Sequence, residues 1–275
     1  MKPTTKVPAR AKSGGKVAKK TSGKASKPIA KAARAVKAVT RAATKGLAKA
    51  VTKATRKPLR AATWPPAPAR VQGILAGLEA LYPDVKCELD HDNAFQLLIS
   101  TILSAQTTDV RVNMVTPALF AAFPTPAAMA EAPTEVLEDL IRQTGFFRQK
   151  ALSIKATATA LHEKFGGEVP REMDQLLTLR GVARKTANVV LGTAYGIATG
   201  LVVDTHVQRL ALRLALTRQI DPRKIEEELM TVIPQDHWIR FSHQLIWHGR
   251  RICFARKPDC EHCPLVPHCP SAFRE

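Results

Sequence analysis

The sequence predicts an all-α fold from residue 70 onward, and three observations carry that prediction. Turn signals recur at helix-length intervals: Pro83, Pro124 and Pro126, Pro133, Gly145, Gly166-Gly167, Gly181, Gly196 to Gly200, Asp221-Pro222 and Pro234. Between them, apolar residues return every three or four positions, the period that lines one face of a helix. No alternating β-branched run of strand length occurs, and "GLVVDT" (200–205) is too short and isolated to count.

The N-terminal segment stands apart from that pattern. The chain carries 42 Lys and Arg against 23 Asp and Glu, a net charge of +19. Residues 1–60 hold 19 of the bases and no acid, which leaves 23 bases to face 23 acids in the rest. The net charge therefore belongs to the tail and says nothing about the fold. Residues 1–63 are Lys/Ala-rich with almost no aromatic content, and such a segment is expected to be disordered because it buries too little to offset chain entropy. From Lys31 the bases recur every three or four residues, so this Ala-rich stretch becomes helical once phosphates neutralise its self-repulsion. It resembles a histone-H1-type tail. A nucleic-acid tether, a mitochondrial transit peptide and a solubilising arm are the readings open to it. The tether predicts that removing residues 1–60 weakens DNA affinity and flattens its salt dependence, and an unchanged salt slope refutes it. "WPPAPA" (64–69) then forms a stiff boundary.

Each helical element has its own start and stop. In "TEVLEDLIRQTG", Thr134 is the expected N-cap, Leu137, Leu140 and Ile141 form the stripe, and Gly145 is the stop. "MDQLLTL" leads through a tight turn at Gly181 into "VARKTANVV", so the order is helix, turn, helix. "VVDTHVQRLALRL" opens on Asp204 as N-cap with Val207, Leu210, Ala211 and Leu214 on one face. "DPRKIEEELMTVIP" has Asp221 as N-cap and Pro222 at the first helical position.

Several function classes are excluded. No apolar run reaches the roughly 18 residues of a membrane span, and no secretory apolar segment follows Met1. Four of the five cysteines crowd into residues 253–269. An odd count in a tight cluster argues against a secreted disulfide framework and for an intracellular metal site. Cys253, Cys260, Cys263 and Cys269 are spaced x6, x2, x5. Four thiolates so spaced hold either zinc or a 4Fe–4S cluster, with His262 and His268 nearby as further zinc donors. Arg256 and Lys257 lie in this loop, preceded by Arg250 and Arg251. They suit phosphate contact, or else form a solvated basic face. Cys87 stands alone and reads as a small buried hydrophobe.

The hairpin carries the chemistry. In "LRGVARKTANVV" (179–190), backbone N–H groups of the turn and of the following helix start make a nest for a phosphate. Lys185 falls in the first helical turn, where the helix dipole disfavours its charge by about 0.3–1 kcal/mol. Apolar neighbours are expected to shield it. Both effects favour the neutral amine, a nucleophile that forms Schiff bases with sugar carbons. The competing reading is a charged lysine that clamps a phosphate. Asp204 is expected to cap its helix and, if it faces Lys185, to orient the amine or stabilise a developing oxocarbenium charge.

Taken together, the hairpin, the aspartate about twenty residues on and the cysteine spacing resemble endonuclease III, the base-excision DNA glycosylase of the helix–hairpin–helix superfamily. The resemblance covers about residues 70–272 and rests on "VARKTANVVL", "VDTHVQRL", the x6–x2–x5 loop and "LLISTILSAQTTD" (97–109). It implies Lys185 as nucleophile, Asp204 as the catalytic aspartate, and the four cysteines as ligands of a 4Fe–4S cluster. Gln106 and Phe146 would fill the gap left by a flipped base, Phe146 standing where the family commonly has Leu. DNA contacts would come from Arg180, Gly181, Ala183, Arg184, Arg256 and Lys257. Arg180 replaces a usual proline and adds a cation, and Ala183 replaces a usual glycine. The implied architecture is a six-helix barrel over 88–198 carrying the hairpin, and a cluster domain combining 64–87 with 199–275, with a DNA cleft between them. The implied activity is removal of oxidised pyrimidines from duplex DNA and β-elimination at the abasic site, by a monomer in the bacterial nucleoid, or in an organelle or nucleus of a eukaryote. Alternatives are a paralogue acting mainly as an abasic-site lyase, and a non-enzymatic DNA-binding protein.

Overall fold

The computed structural model describes residues 63–274, and the basic tail lies outside these described residues. Among the described residues the secondary structure is helical throughout, with eleven α-helices and no strand. In chain order they are α1 (Pro68–Leu81), α2 (Ala94–Leu103), α3 (Asp109–Ala122), α4 (Pro126–Glu131), α5 (Thr134–Ile141), α6 (Phe147–Lys164), α7 (Met173–Leu177), α8 (Arg184–Tyr195), α9 (Thr205–Arg213), α10 (Pro222–Val232) and α11 (Trp238–Arg251). None is long and apolar enough to cross a membrane.

Side-chain caps start the helices that the sequence marks most clearly. Asn93 accepts from the Gln96 N–H at 2.9 Å at the head of α2. Asp221 accepts from Arg223 and Lys224 before α10, with Pro222 at the first position. Thr134 is a correction. Pro133, with φ −59° and ψ 133°, holds the cap position of α5, and Thr134 is already helical. The fixed φ of proline sets the extended cap geometry one residue earlier, and the first N–H groups of α5 are left without a side-chain acceptor. Gly145 ends the 3₁₀ extension of α5 as expected, at φ +65°.

Two hydrophobic cores organise these helices. The first runs from Leu89 to Val202 and draws on α2 to α8. Residues Leu97 to Leu103 of α2 are all buried, so this helix lies at the centre of that core. The second joins Val71, Ile74 and Leu78 of α1 to Val207, Leu210, Ile225, Leu229, Phe241 and Leu245 of α9 to α11, with Leu265 from the cysteine loop. Cys87 is half-buried against the first core, where burial pushes its thiol up.

Glu226 links helices of the two cores. Its buried carboxylate on α10 accepts from Arg184 Nε at 3.1 Å and from Asn188 Nδ2 at 2.8 Å, both on α8. Gly200 leaves the room, since a Cβ there would stand 2.0 Å from Glu226 Oε1.

Candidate functional site

The hairpin is formed by α7, a turn over 178–183, and α8. Gly181 adopts φ +82°, a conformation that L side chains rarely take. Thr157 Oγ1 on α6 donates to the Arg180 carbonyl at 2.8 Å and anchors the turn from below. Ala183 is the N-cap of α8 with ordinary extended backbone, φ −99° and ψ 170°, so an alanine there carries no strain. No side chain caps α8, which leaves its first N–H groups open to an anion.

Lys185 is the second residue of α8 and is exposed. The shielding by apolar neighbours expected from sequence is absent, because the apolar face of α8 begins only at Ala187 and turns toward the first core. Arg180 is exposed. Arg184, expected at DNA, has its Nε engaged by both oxygens of Glu226.

Asp204 caps α9. Its Oδ1 accepts from His206 N and Val207 N, each at 2.8 Å, and Oδ2 takes no bond among the described residues. The third member of this group is one that sequence reasoning missed. Burial holds the Asp109 carboxyl above its usual range, the nearby Asp204 carboxylate raises it further, and the Lys185 ammonium pulls it back. Lys185, Asp204 and Asp109 therefore share one electrostatic neighbourhood although they come from three separate helices. Asp109 is held by Arg250 NH2 at 2.7 Å, and Arg250 also pairs with Glu88. Arg251 bonds Glu88 at 3.1 Å and stacks on Trp247. Both arginines thus have structural partners, while Arg256 and Lys257 are exposed. The available signal for Asp109 was its place at the end of "SAQTTD".

Gln106 and Phe146 share an unusual backbone. Five non-glycine residues among those described have positive φ, and three are site residues expected from sequence: Gln106 at 54°, Phe146 at 48° and Lys257 at 52°. Such conformations are sparsely populated and concentrate where function demands them. Phe146 leaves 68% of its surface exposed, a burial state that no packing argument favours for so large an apolar ring.

The four cysteines line one cavity with Leu210, Leu214, Ile252 and Leu265. Burial pushes the Cys263 thiol up to about 12, and the Cys269 thiol upward as well. His248 Nε2 lies 3.4 Å from Cys263 Sγ, and Arg213 NH1 donates to Cys253 Sγ at 3.3 Å. No three His, Cys, Asp or Glu side chains among the described residues converge closely enough to hold a single ion. His262 is exposed and bonded to Asp259, and His268 packs over Gly73, where a Cβ would stand 2.3 Å from its ring. Neither histidine joins the cysteines.

Comparison with known proteins follows the same lines. Residues 99–235 match the model of the HhH-GPD superfamily base excision DNA repair protein. The chain is 54% identical over 203 residues to endonuclease III of Synechocystis sp., covering 74% of this chain and 93% of that protein. It superposes with TM-score 0.71 on a non-covalent endonuclease III–DNA complex, at 42% identity, covering 76% of this chain and 97% of the other. A trapped endonuclease III–DNA covalent intermediate matches with TM-score 0.71 at 41% identity, covering 76% and 98%.

Proposed function

Because the chain belongs to the endonuclease III family of the HhH-GPD base excision repair superfamily, we propose that Lys185 is its nucleophile and Asp204 the carboxylate that serves it. The protein is a bifunctional DNA N-glycosylase and abasic-site lyase that repairs oxidised pyrimidines. One observation carries the residue assignment: an exposed lysine in the uncapped first turn of α8 and an N-cap carboxylate with a free Oδ2 both act on the same half-buried Asp109.

The open N–H groups of α8 and the Gly181 turn grip a phosphate without reading sequence. The damaged base leaves the stack, since its sugar is out of reach inside a duplex. Gln106 and Phe146 fill the gap. Lys185 Nζ, as its neutral amine, forms a bond to C1′ as the glycosidic bond breaks and the base departs with the electron pair. The nitrogen then sheds one proton and its lone pair breaks C1′–O4′, opening the sugar to a protonated Schiff base while O4′ takes up the proton. Asp204 stabilises the positive charge that develops on the sugar. The resulting Schiff base acidifies C2′, and loss of a C2′ proton expels the 3′ phosphate by β-elimination. Arg180, Gly181, Ala183, Arg256 and Lys257 contact the backbone of DNA bearing a damaged base or abasic site, with Arg184 beside them, and the enzyme acts as a monomer. The first core, apart from Val202, belongs to a barrel domain over 88–198, and the second to a cluster domain of 64–87 with 199–275. The unstrained backbone of Ala183 means that this replacement of the usual glycine gives no support to the lyase-only alternative.

The cysteine cavity fits a 4Fe–4S cluster better than zinc. All four thiols face one apolar cavity, yet no three meet at a single ion. Cys253, Cys260, Cys263 and Cys269 would hold it, and when bound it staples a proline-rich loop and supplies a redox-active centre. The purified protein should contain iron and sulfide in equal amounts. Cys263→Ser should lose both together with the visible absorbance, and zinc in their place would refute the assignment.

The activity test is trapping. Borohydride should link the wild-type protein covalently to duplexes carrying either an abasic site or thymine glycol. Trapping on the abasic duplex alone would reduce the function to a lyase.

A further inference from the structure

Lys150 is a buried lysine that the mechanism above does not use. It sits in the first turn of α6 and is 6% exposed. A buried ammonium needs hydrogen-bond partners, and this one has two. Its Nζ donates to Thr107 Oγ1 at 2.7 Å and to the Thr144 carbonyl at 2.7 Å. The Thr107 hydroxyl itself donates to the same Thr144 carbonyl, across 37 residues of sequence. Burial alone brings the Lys150 amine down to about 8, and its place in the first helical turn also opposes the dipole.

The two acceptors have informative neighbours. Thr107 directly follows Gln106, and Thr144 precedes Phe146 by two residues. Both of those residues are held at positive φ. A lysine suits the junction because one nitrogen offers three donors, enough to reach a hydroxyl and a carbonyl from different turns. Its charge shortens and strengthens both bonds.

We infer that Lys150 is a positioning residue that ties the Gln106 turn to the Phe146 turn and so fixes the spacing of the two side chains entering the DNA stack. The inference rests on the gap-filling role proposed for Gln106 and Phe146. Fixing both probes before DNA arrives removes the ordering that base eversion would otherwise require.

The test uses the full chain in single-turnover assays on two substrates. One is a duplex with thymine glycol. The other is a single-stranded oligonucleotide with an abasic site, which offers no opposing stack to fill. Lys150→Met keeps the length of the side chain and removes the donors. Thr107→Val removes the shared hydroxyl. Each should slow the duplex reaction by about tenfold, since Lys150→Met removes both charge-assisted bonds and Thr107→Val removes one of them together with the hydroxyl's own bond to the Thr144 carbonyl. Each should leave the single-strand rate within about twofold, and the double variant should be no slower than Lys150→Met, because both open one link. Equal losses on both substrates would overturn the inference and mark Lys150 as a general stabiliser. Gln106→Ala and Phe146→Ala run alongside. If these leave the duplex rate intact, the gap-filling reading fails and takes the inference with it. If they slow the duplex while Lys150→Met and Thr107→Val do not, the clamp alone fails. Should Lys150→Met not fold by circular dichroism, Thr107→Val decides alone.

Discussion

Lys185→Ala abolishes borohydride trapping on both abasic and thymine glycol duplexes, lowering strand cleavage by at least about 10³-fold, as removal of a nucleophile does. Duplex affinity should change little by comparison, because the phosphate nest is made of backbone N–H groups that the substitution leaves in place. The prediction discriminates between two lysines. Lys150, with its amine brought down to about 8, is on titration alone a candidate nucleophile. It is buried and both its bonds point into the protein, so no sugar carbon reaches it. Lys185 is exposed at the open end of α8. Residual trapping in Lys185→Ala, lost only on further substitution of Lys150, would reverse the assignment. Lost trapping with full binding would settle that Lys185 does chemistry rather than clamp a phosphate.

Asp204→Asn and Asp204→Ala separate two roles carried by one side chain. As an N-cap, the Oδ1 atom satisfies two orphan N–H groups of α9. Asparagine caps about as well as aspartate, whereas alanine costs about 0.5–2 kcal/mol. As a catalytic group, the carboxylate needs its charge, which asparagine lacks. Asp204→Asn should therefore melt near wild type and still lose about 10²-fold in single-turnover base release, the size of a lost electrostatic stabiliser. Asp204→Ala should lose a similar factor in rate and melt lower as well. If Asp204→Asn keeps its rate, the carboxylate is a cap and nothing more, and Asp109 becomes the acid group of the site.

What could be read from the sequence is what is local. Asp221-Pro222 and Asp204 announce their helices because a cap acts within three residues. Gly181 announces its turn because only glycine takes φ +82° cheaply. The spacing of the four cysteines announces the loop that brings them to one cavity. The misses involve partners far apart in sequence. The shielding of Lys185 depends on which way α8 faces, and that is set by packing of Ala187, Val190 and Leu191 on the first core together with the Arg184–Glu226 pair, 42 residues apart. Asp109 is placed by Arg250 from 141 residues away. The Lys150 link joins turns whose separation has no period to detect. Thr134 failed for a different reason: the fixed φ of Pro133 begins the helix one residue early and carries Thr134 into its first turn.

Gly73 and Gly77 of α1 bring His268 and Leu265 of the cysteine loop into close contact, and Arg70 NH1 reaches the His268 carbonyl at 3.5 Å. These partners lie 198 residues apart in the chain. During synthesis at about 5–20 residues per second, α1 leaves the ribosome roughly 10–40 s before the loop that covers it. The first core closes earlier, since Val202 is its last member. Lys185 is therefore already seated on a folded scaffold while the second core still waits for its final segment. A nascent chain stalled before Cys269 would present a finished hairpin beside an unsealed α1.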